Sequence, residues 1–395
     1  MSGARCFVQA VGLANAVGRG CESVRAGLLA GDTSGMRVEE GWLPHGAARV
    51  GSVRGELPAI PPELAAFDCR THRLILLALD EIRPAIAAAR RRISPGRFGV
   101  VLGTSTAGIL EGEAAMAARE REGRFPEGFQ YAQQEIGRAA RFVAAHLGLG
   151  GPAYIVSTAS TSSVKAIAAA CRLIVGGICD AVVTGGADTL CRLTVNGFSA
   201  LESTTPELCN PLSRHRRGIN LGEGVALMLV GREPAPVEIL GCGESSDAYH
   251  ISAPDPEGRG AESAMRAALA QARLEPQAVD YLNLHATATP KNDLVEAHAV
   301  HRVFPNGVPC SGTKPLTGHM LGAAGATEAA FCWLALTGDG RLPPHVWDGA
   351  ADPALPTLLQ VAAGERFRRS RSRVCMSNSF AFGGSNASLV LGDAR

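Results

Sequence analysis

The sequence predicts an α/β protein containing parallel sheet, and three observations predict it. Short apolar, β-branched runs alternate with Ala-rich stretches of helical period along the 395 residues. Glycine is frequent (47 residues) while aromatics make up 5%, a composition suited to close helix–sheet packing and tight turns. Apolar residues reach 46% against 19% charged, enough for a large buried core and far from a disordered chain. At roughly 100–200 residues per domain, the length corresponds to two domain-sized units or one large fused core.

Strand signals fall at 97–103, 153–157, 181–185, 225–230, 237–241, 281–285 and 387–391. Within 160–175 the apolar side chains Val164, Ile167, Ala168, Cys171, Ile174 and Val175 recur at three- and four-residue steps, which marks one buried helical face. A second helix is predicted over 261–273, halted by Pro276. A boundary falls near Arg232-Glu233-Pro234-Ala235-Pro236, dividing 1–234 from 235–395. The two sides share a pattern: 153–175 runs strand, Ser-Thr-Ala-Ser turn, Ala-rich helix, and 308–336 runs strand, Ser-Gly-Thr-Lys turn, Gly/Ala-rich helix. The match is in pattern rather than letters. No low-complexity linker or short repeat interrupts the chain.

Charge excludes some classes of partner. Lys plus Arg total 38 against 37 Asp plus Glu, a net charge of +1, so nothing calls for nucleic acid or a membrane surface. The basic runs at 90–92 and 366–373 read as solvated faces. The 11 cysteines form no CxxC pair and no Cys/His cluster of zinc-ligand spacing, so no metal site is expected. With no N-terminal apolar segment and no apolar run of about 18 residues, the expected setting is the reducing cytoplasm, without a membrane span.

Five stretches carry the chemistry. Val156–Ser163 runs a strand into a helix that opens with hydroxyl residues, and Ser160 stands there, where free N–H groups favour a developing negative charge. Ordinary capping by Ser and Thr would explain the same letters. His285-Ala286-Thr287-Ala288-Thr289-Pro290-Lys291-Asn292-Asp293 places a histidine at the carboxyl end of a strand, where open α/β sheets bind ligands; a satisfied core histidine is the alternative. Ser311–Gly325 sets Lys314 and His319 five residues apart beside a small-residue helix, without the order of a Walker A loop. Asn378–Ala387 contains Phe382-Gly383-Gly384, which permits close backbone approach to a ligand or a plain tight turn. Asn210–Gly224 is polar and Gly-rich, and could be a surface loop.

In order and spacing together, these stretches resemble the signatures of the β-ketoacyl-acyl carrier protein synthases: Thr-Ala-Cys, His-Gly-Thr-Gly-Thr…Asn-Asp, Lys…Thr-Gly-His…Gly-Ala-Ala-Gly and Asn-Ser-Phe-Gly-Phe-Gly-Gly. The resemblance covers about residues 4–392, and looks closest to bacterial elongating and aryl-polyene-type synthases. It implies a thiolase-like fold of two pseudo-repeated αβαβα halves in a five-layered core, usually a homodimer, with a ketosynthase heterodimer as the alternative. It implies decarboxylative Claisen condensation of an acyl thioester with malonyl-acyl carrier protein. No bound cofactor is expected, because the phosphopantetheine arrives on the carrier. By position, Ser160 would hold the nucleophile's place, with the N–H groups of Ser160 and Phe382 as oxyanion hole and Phe382-Gly383 as a gate. His285 and His319 would assist decarboxylation, Lys314 would pair with Glu328, and Thr287 and Thr289 would hold the phosphopantetheine. The carrier would dock on Arg70, Arg73, Arg214 and Arg216, and residues 126–134 would shape the acyl pocket across the dimer.

The sequence departs from the family at Ser160, where a cysteine is expected, and at Ala286, Ala381 and Ser385 for Gly, Gly and Thr. Ala381 is expected to stiffen the gate. A thiol ionises near pKa 8.5 and becomes a thiolate at a helix N-terminus; a serine hydroxyl needs an adjacent base. Slow acyl transfer and a more stable ester are therefore expected. Three accounts compete: an engineered replacement of cysteine, a natural loss of activity as in a chain-length-factor-type partner, and a genuine serine nucleophile. Retention of His285, Lys314 and His319 favours the first. A GxSxG elbow is absent around Ser160.

Overall fold

The computed structural model describes residues 4–394. Ten strands carry the core: β1 Cys6–Asn15, β2 Phe98–Gly103, β3 Ala153–Val156, β4 Ala181–Asp188, β5 Gly224–Gly231, β6 Val237–Ser246, β7 Tyr281–Leu284, β8 Pro309–Gly312, β9 Val374–Phe380 and β10 Ser385–Asp393. They form one sheet in the order β3-β2-β4-β5-β1-β6-β10-β9-β7-β8, extended past β8 by Leu359–Gln360, with Gly18–Arg19 paired on β1. The order is a palindrome. In each half the third, second and fourth strands are parallel, and the fifth and first are antiparallel to their neighbours. The halves join where β1 meets β6 antiparallel, and the chain crosses between them at Arg232–Pro236.

Six helices build the layers: α1 Arg70–Arg90, α2 Arg138–Leu147, α3 Ser162–Val175, α4 Arg259–Ala272, α5 Pro290–Val303 and α6 Ala324–Thr337. The equivalent helices α3 and α6 pack on each other between the two half-sheets, with Ile167, Ala170, Ala326 and Phe331 in the central core. Helices α1 and α2 cover one outer face through Leu74, Ile75, Ala78 and Phe142. Helices α4 and α5 cover the other through Met265, Ala268, Ala297 and Val300. The result is five layers. Two glycines show how tightly they are stacked: a Cβ on Gly12 would stand 2.2 Å from the Ala78 carbonyl oxygen of α1, and one on Gly243 1.9 Å from that of Ala264 in α4. These are equivalent contacts in the two halves, so each first strand needs glycine where its helix crosses.

The strands signalled in the sequence all form, most of them longer or shifted by a residue. Strands β1 and β9 and helix α1 escaped it. β1 lies at the centre of the sheet and lacks clean alternation, β9 buries Ser377, Asn378 and Ser379, and Pro84 breaks the period of α1. The helix expected over 261–273 spans Arg259–Ala272, and Arg273, at φ 55°, closes it as a left-handed cap ahead of Pro276. The helix expected from residue 160 starts at Ser162, which leaves Ser160 on the turn before it. No helix among the described residues is long and apolar enough to cross a membrane.

Candidate active site

The parallel strands of both halves end on one side, and their following turns converge there. After β3 the chain reverses through Ala159, at φ 52°, while the Ser162 hydroxyl accepts from the Thr158 N–H at 2.9 Å. This turn holds Ser160 ahead of α3. It is a tight elbow made without glycine.

After β7, Ala286 and Ala288 take φ 40° and 63°, where the family's glycines would be unstrained. Two buried carboxylates hold this loop. Glu296 accepts from the N–H groups of His285 (2.8 Å) and Ala286 (2.7 Å), and Asp293 from those of Leu212 and Ala288. Thr289 caps α5, and its hydroxyl lies 3.0 Å from that of Thr287.

After β8 come Lys314 and His319. The His319 backbone is pinned on both sides: its N–H donates to the Asn220 carbonyl (2.7 Å) and its carbonyl accepts from Gly222 (3.1 Å). Asn210–Gly224 is therefore a buried brace rather than a plain surface loop. After β9, Phe382 stands half-exposed with its ring 5.4 Å from that of Phe198, and the Gly383 N–H donates to the Ile251 carbonyl. Ala381 does not strain the gate, since at φ −133° a Cβ costs nothing; Gly383 and Gly384 carry the positive φ values. Ser385 keeps a hydroxyl bond to Thr161 at 2.9 Å.

These turns bring Ser160 Oγ to 2.8 Å from His319 Nε2. The rings of His285 and His319 meet edge to face, centroids 5.3 Å apart. Lys314 lies behind them, fully buried. Its ammonium donates to Glu328 Oε1 (2.5 Å), to the His285 carbonyl and toward His285 Nδ1 (3.4 Å). Burial first, then the Lys314 charge, holds both imidazoles well below their ordinary pKa, so they are neutral at pH 7. Burial raises Glu328 to about 7 against the pull of Lys314.

A cavity of about 490 Å³ opens at this point. Ser160, His285, His319, Thr287, Thr289 and Phe382 all line it, but Lys314, Glu328 and Gly383 do not. Neither the Ser160 nor the Phe382 N–H donates to another group among the described residues. The four arginines stand away from the lining. Arg70 binds buried Glu223, Arg73 binds Asp68, Arg216 binds Asp352, and Arg214 donates to the Ala351 carbonyl. Arg70 and Arg216 each form an ion pair within the protein. Sequence reasoning missed Phe198, Leu201, His250 and Lys291 in the lining. Lys291 was legible beside Thr289 within its motif; Phe198 reaches the cavity from another helix and had no local signal.

The chemistry available is addition to a carbonyl: a hydroxyl against a neutral imidazole, two free N–H donors and a second imidazole across the cavity. The models for the N-terminal and C-terminal domains of β-ketoacyl synthases match residues 47–235 and 237–346. The chain belongs to the β-ketoacyl synthase family. It is 35% identical over 361 residues to nodulation protein E of Rhizobium meliloti, covering 86% of this chain and 88% of that one. It is 31% identical to 3-oxoacyl-(acyl-carrier-protein) synthase 2 of Rhizobium meliloti (strain 1021), covering 98% of both. Among solved structures it resembles a chain in the complex of a ketosynthase with its chain length factor from Xenorhabdus doucetiae. That match has TM-score 0.94 and 43% identity, over 99% of this chain and 98% of that one. The synthase fold is thereby shown, with its five layers and paired halves.

Proposed function

We propose that this chain is a condensing subunit acting on acyl and malonyl thioesters borne by an acyl carrier protein, in fatty-acid or polyene and polyketide elongation. Its Ser160 slows acyl transfer relative to a cysteine. The observation that supports this most is the convergence of Ser160, His285 and His319 on one cavity with the Lys314–Glu328 pair behind. In this reading the thioester carbonyl lies against the Ser160 and Phe382 N–H groups. His285 and His319 hydrogen-bond the enolate left when malonyl loses CO2. Thr287 and Thr289 line the route of the phosphopantetheine arm. A dimer belongs to the reading, because β3 is a sheet edge with Tyr154 exposed and an unpaired side.

One observation favours a second reading, a chain-length-factor-type partner of a cysteine-bearing ketosynthase: the serine at 160. The similar Xenorhabdus doucetiae structure is a complex of that kind. The experiment that separates the two is Ser160→Cys, assayed alone with short acyl carriers and malonyl carrier. A ketoacyl product supports the condensing reading. No product alone, and product only after adding a cysteine-bearing homologue, supports the partner reading.

A further inference from the structure

Resting on the reading that carrier-borne thioesters enter this cavity, we propose that Ser160 is itself a nucleophile. It takes the acyl group from the carrier and holds it as an oxyester, with His319 as general base.

Four observations carry this. Ser160 Oγ is 2.8 Å from His319 Nε2, within reach for direct proton transfer. The His319 backbone is fixed by Asn220 and Gly222, and Nδ1 has no partner among the described residues, so no donor there prevents Nδ1 from carrying the proton and Nε2 from accepting one. The Ala159 elbow, with a left-handed alanine, aims the hydroxyl into the cavity at the start of α3. Two backbone N–H groups, of Ser160 and Phe382, remain free to receive an oxyanion. Burial and Lys314 also keep His319 neutral, so its lone pair is available, though as a weak base.

The step balances as follows. Ser160 Oγ attacks the thioester carbonyl carbon while its proton passes to His319 Nε2. The tetrahedral oxyanion collapses, the C–S bond breaks, and the leaving thiolate takes the proton back from His319. The products are acyl-O-Ser160 and the free carrier thiol. A thiolate leaves far more readily than an alkoxide, since a thiol ionises near pKa 8.5, so return to the carrier is disfavoured and the acyl group is retained.

The test is incubation of the intact chain with acetyl, butyryl and octanoyl carriers, followed by intact-mass and peptide mass spectrometry and by titration of released carrier thiol. The expected result is one acyl group on the Ser160 peptide, stable to neutral hydroxylamine, which cleaves thioesters. It should be absent in Ser160→Ala and on the order of 100-fold slower to form in His319→Gln. Catalytic thiol release that depends on Ser160 would equally support the proposal, with the ester turning over. Acylation of Ser160→Cys as a hydroxylamine-labile thioester, with no acylation or thiol release by the serine form, would overturn it and leave the carrier reading standing. Failure of both forms to react would sink the carrier reading too. Equal rates in His319→Gln would remove His319 as the base.

Discussion

Lys314 Nζ stands 3.4 Å from His285 Nδ1 while it donates to Glu328 at 2.5 Å. An ammonium can only donate, so Nδ1 must accept, and the His285 proton sits on Nε2. His285 is thereby set as a donor to an oxygen, whereas His319 Nε2 faces a hydroxyl. The two imidazoles, with centroids 5.3 Å apart, are thus held differently: Lys314 fixes the tautomer of His285, and His319 meets the Ser160 hydroxyl.

Removing that cation should cost stability in a pH-dependent way. Lys314→Met leaves Glu328 buried without its partner, which costs about 3–5 kcal/mol when the carboxylate is charged. Glu328 already titrates near 7, and loss of Lys314 moves it higher. The deficit should be small at pH 6, where the carboxyl takes a proton, and large at pH 8. Denaturant unfolding at the two values checks this. The double change Lys314→Met, Glu328→Gln should recover most of the loss at pH 8.

Two buried histidines outside the cavity should set a slope of stability with pH. Burial holds His72 and His345 at about 4 against an ordinary 6.5. The unfolded chain protonates them first, so their contribution is whole above pH 6.5 and is lost as pH falls toward 4. Glu296 and Glu328, raised to about 7, run the other way: their contribution is whole below 4.5 and lost as pH rises to 7. His345 accepts from the Gly312 N–H and donates to the Pro211 carbonyl, a role only the neutral ring can fill. His345→Gln should lower the melting midpoint at pH 7.5 and flatten its fall between pH 6.5 and 4.5, as calorimetry would show.

Relief of the elbow should raise stability. Ala159 is exposed at φ 52°, a conformation costing an L-residue roughly 1–2 kcal/mol. Glycine there removes the strain but adds about 0.4–1 kcal/mol of unfolded-state entropy. Ala159→Gly should therefore stabilise by about 0.5–1 kcal/mol and raise the midpoint by about 1–3 °C. A fall in the midpoint would show that the alanine is unstrained.

Carrier binding should respond to Lys291 rather than to Arg70 or Arg216. Lys291 is exposed on the cavity mouth and forms no ion pair among the described residues. Lys291→Glu should raise KM for the carrier and leave the melting midpoint unchanged. Arg216 is only 7% exposed at its side chain, and Glu223 opposite Arg70 only 2%. Reversal of Arg70 strands the buried Glu223, and should lower stability by about 3–5 kcal/mol before any docking effect is seen; reversal of Arg216 leaves the part-exposed Asp352 to solvent and should cost less.

Periodicity found the helix over Ser162–Val175 because its buried face repeats locally, and motif order found Ser160, His285, Lys314 and His319 because turn chemistry follows strand ends. It could not find β1, whose central position buries it on both faces, or Glu296, or that Asp293, present in the motif, joins Glu296 in holding the alanines after His285. Their role depends on N–H groups that only the folded loop aims at them.

The sequence alone determined the α/β class, the paired strand–turn–helix units and the identity of the residues at the ends of those strands. Each of these follows from letters a few positions apart. Tertiary structure alone decided that the units stack as a palindrome about β1 and β6, that Asn210–Gly224 braces His319, and that Arg70 and Arg216 face acids inside the protein. The physical reason is that burial and charge pairing are set by neighbours distant in the chain, and no local pattern encodes which carboxylate an arginine will meet.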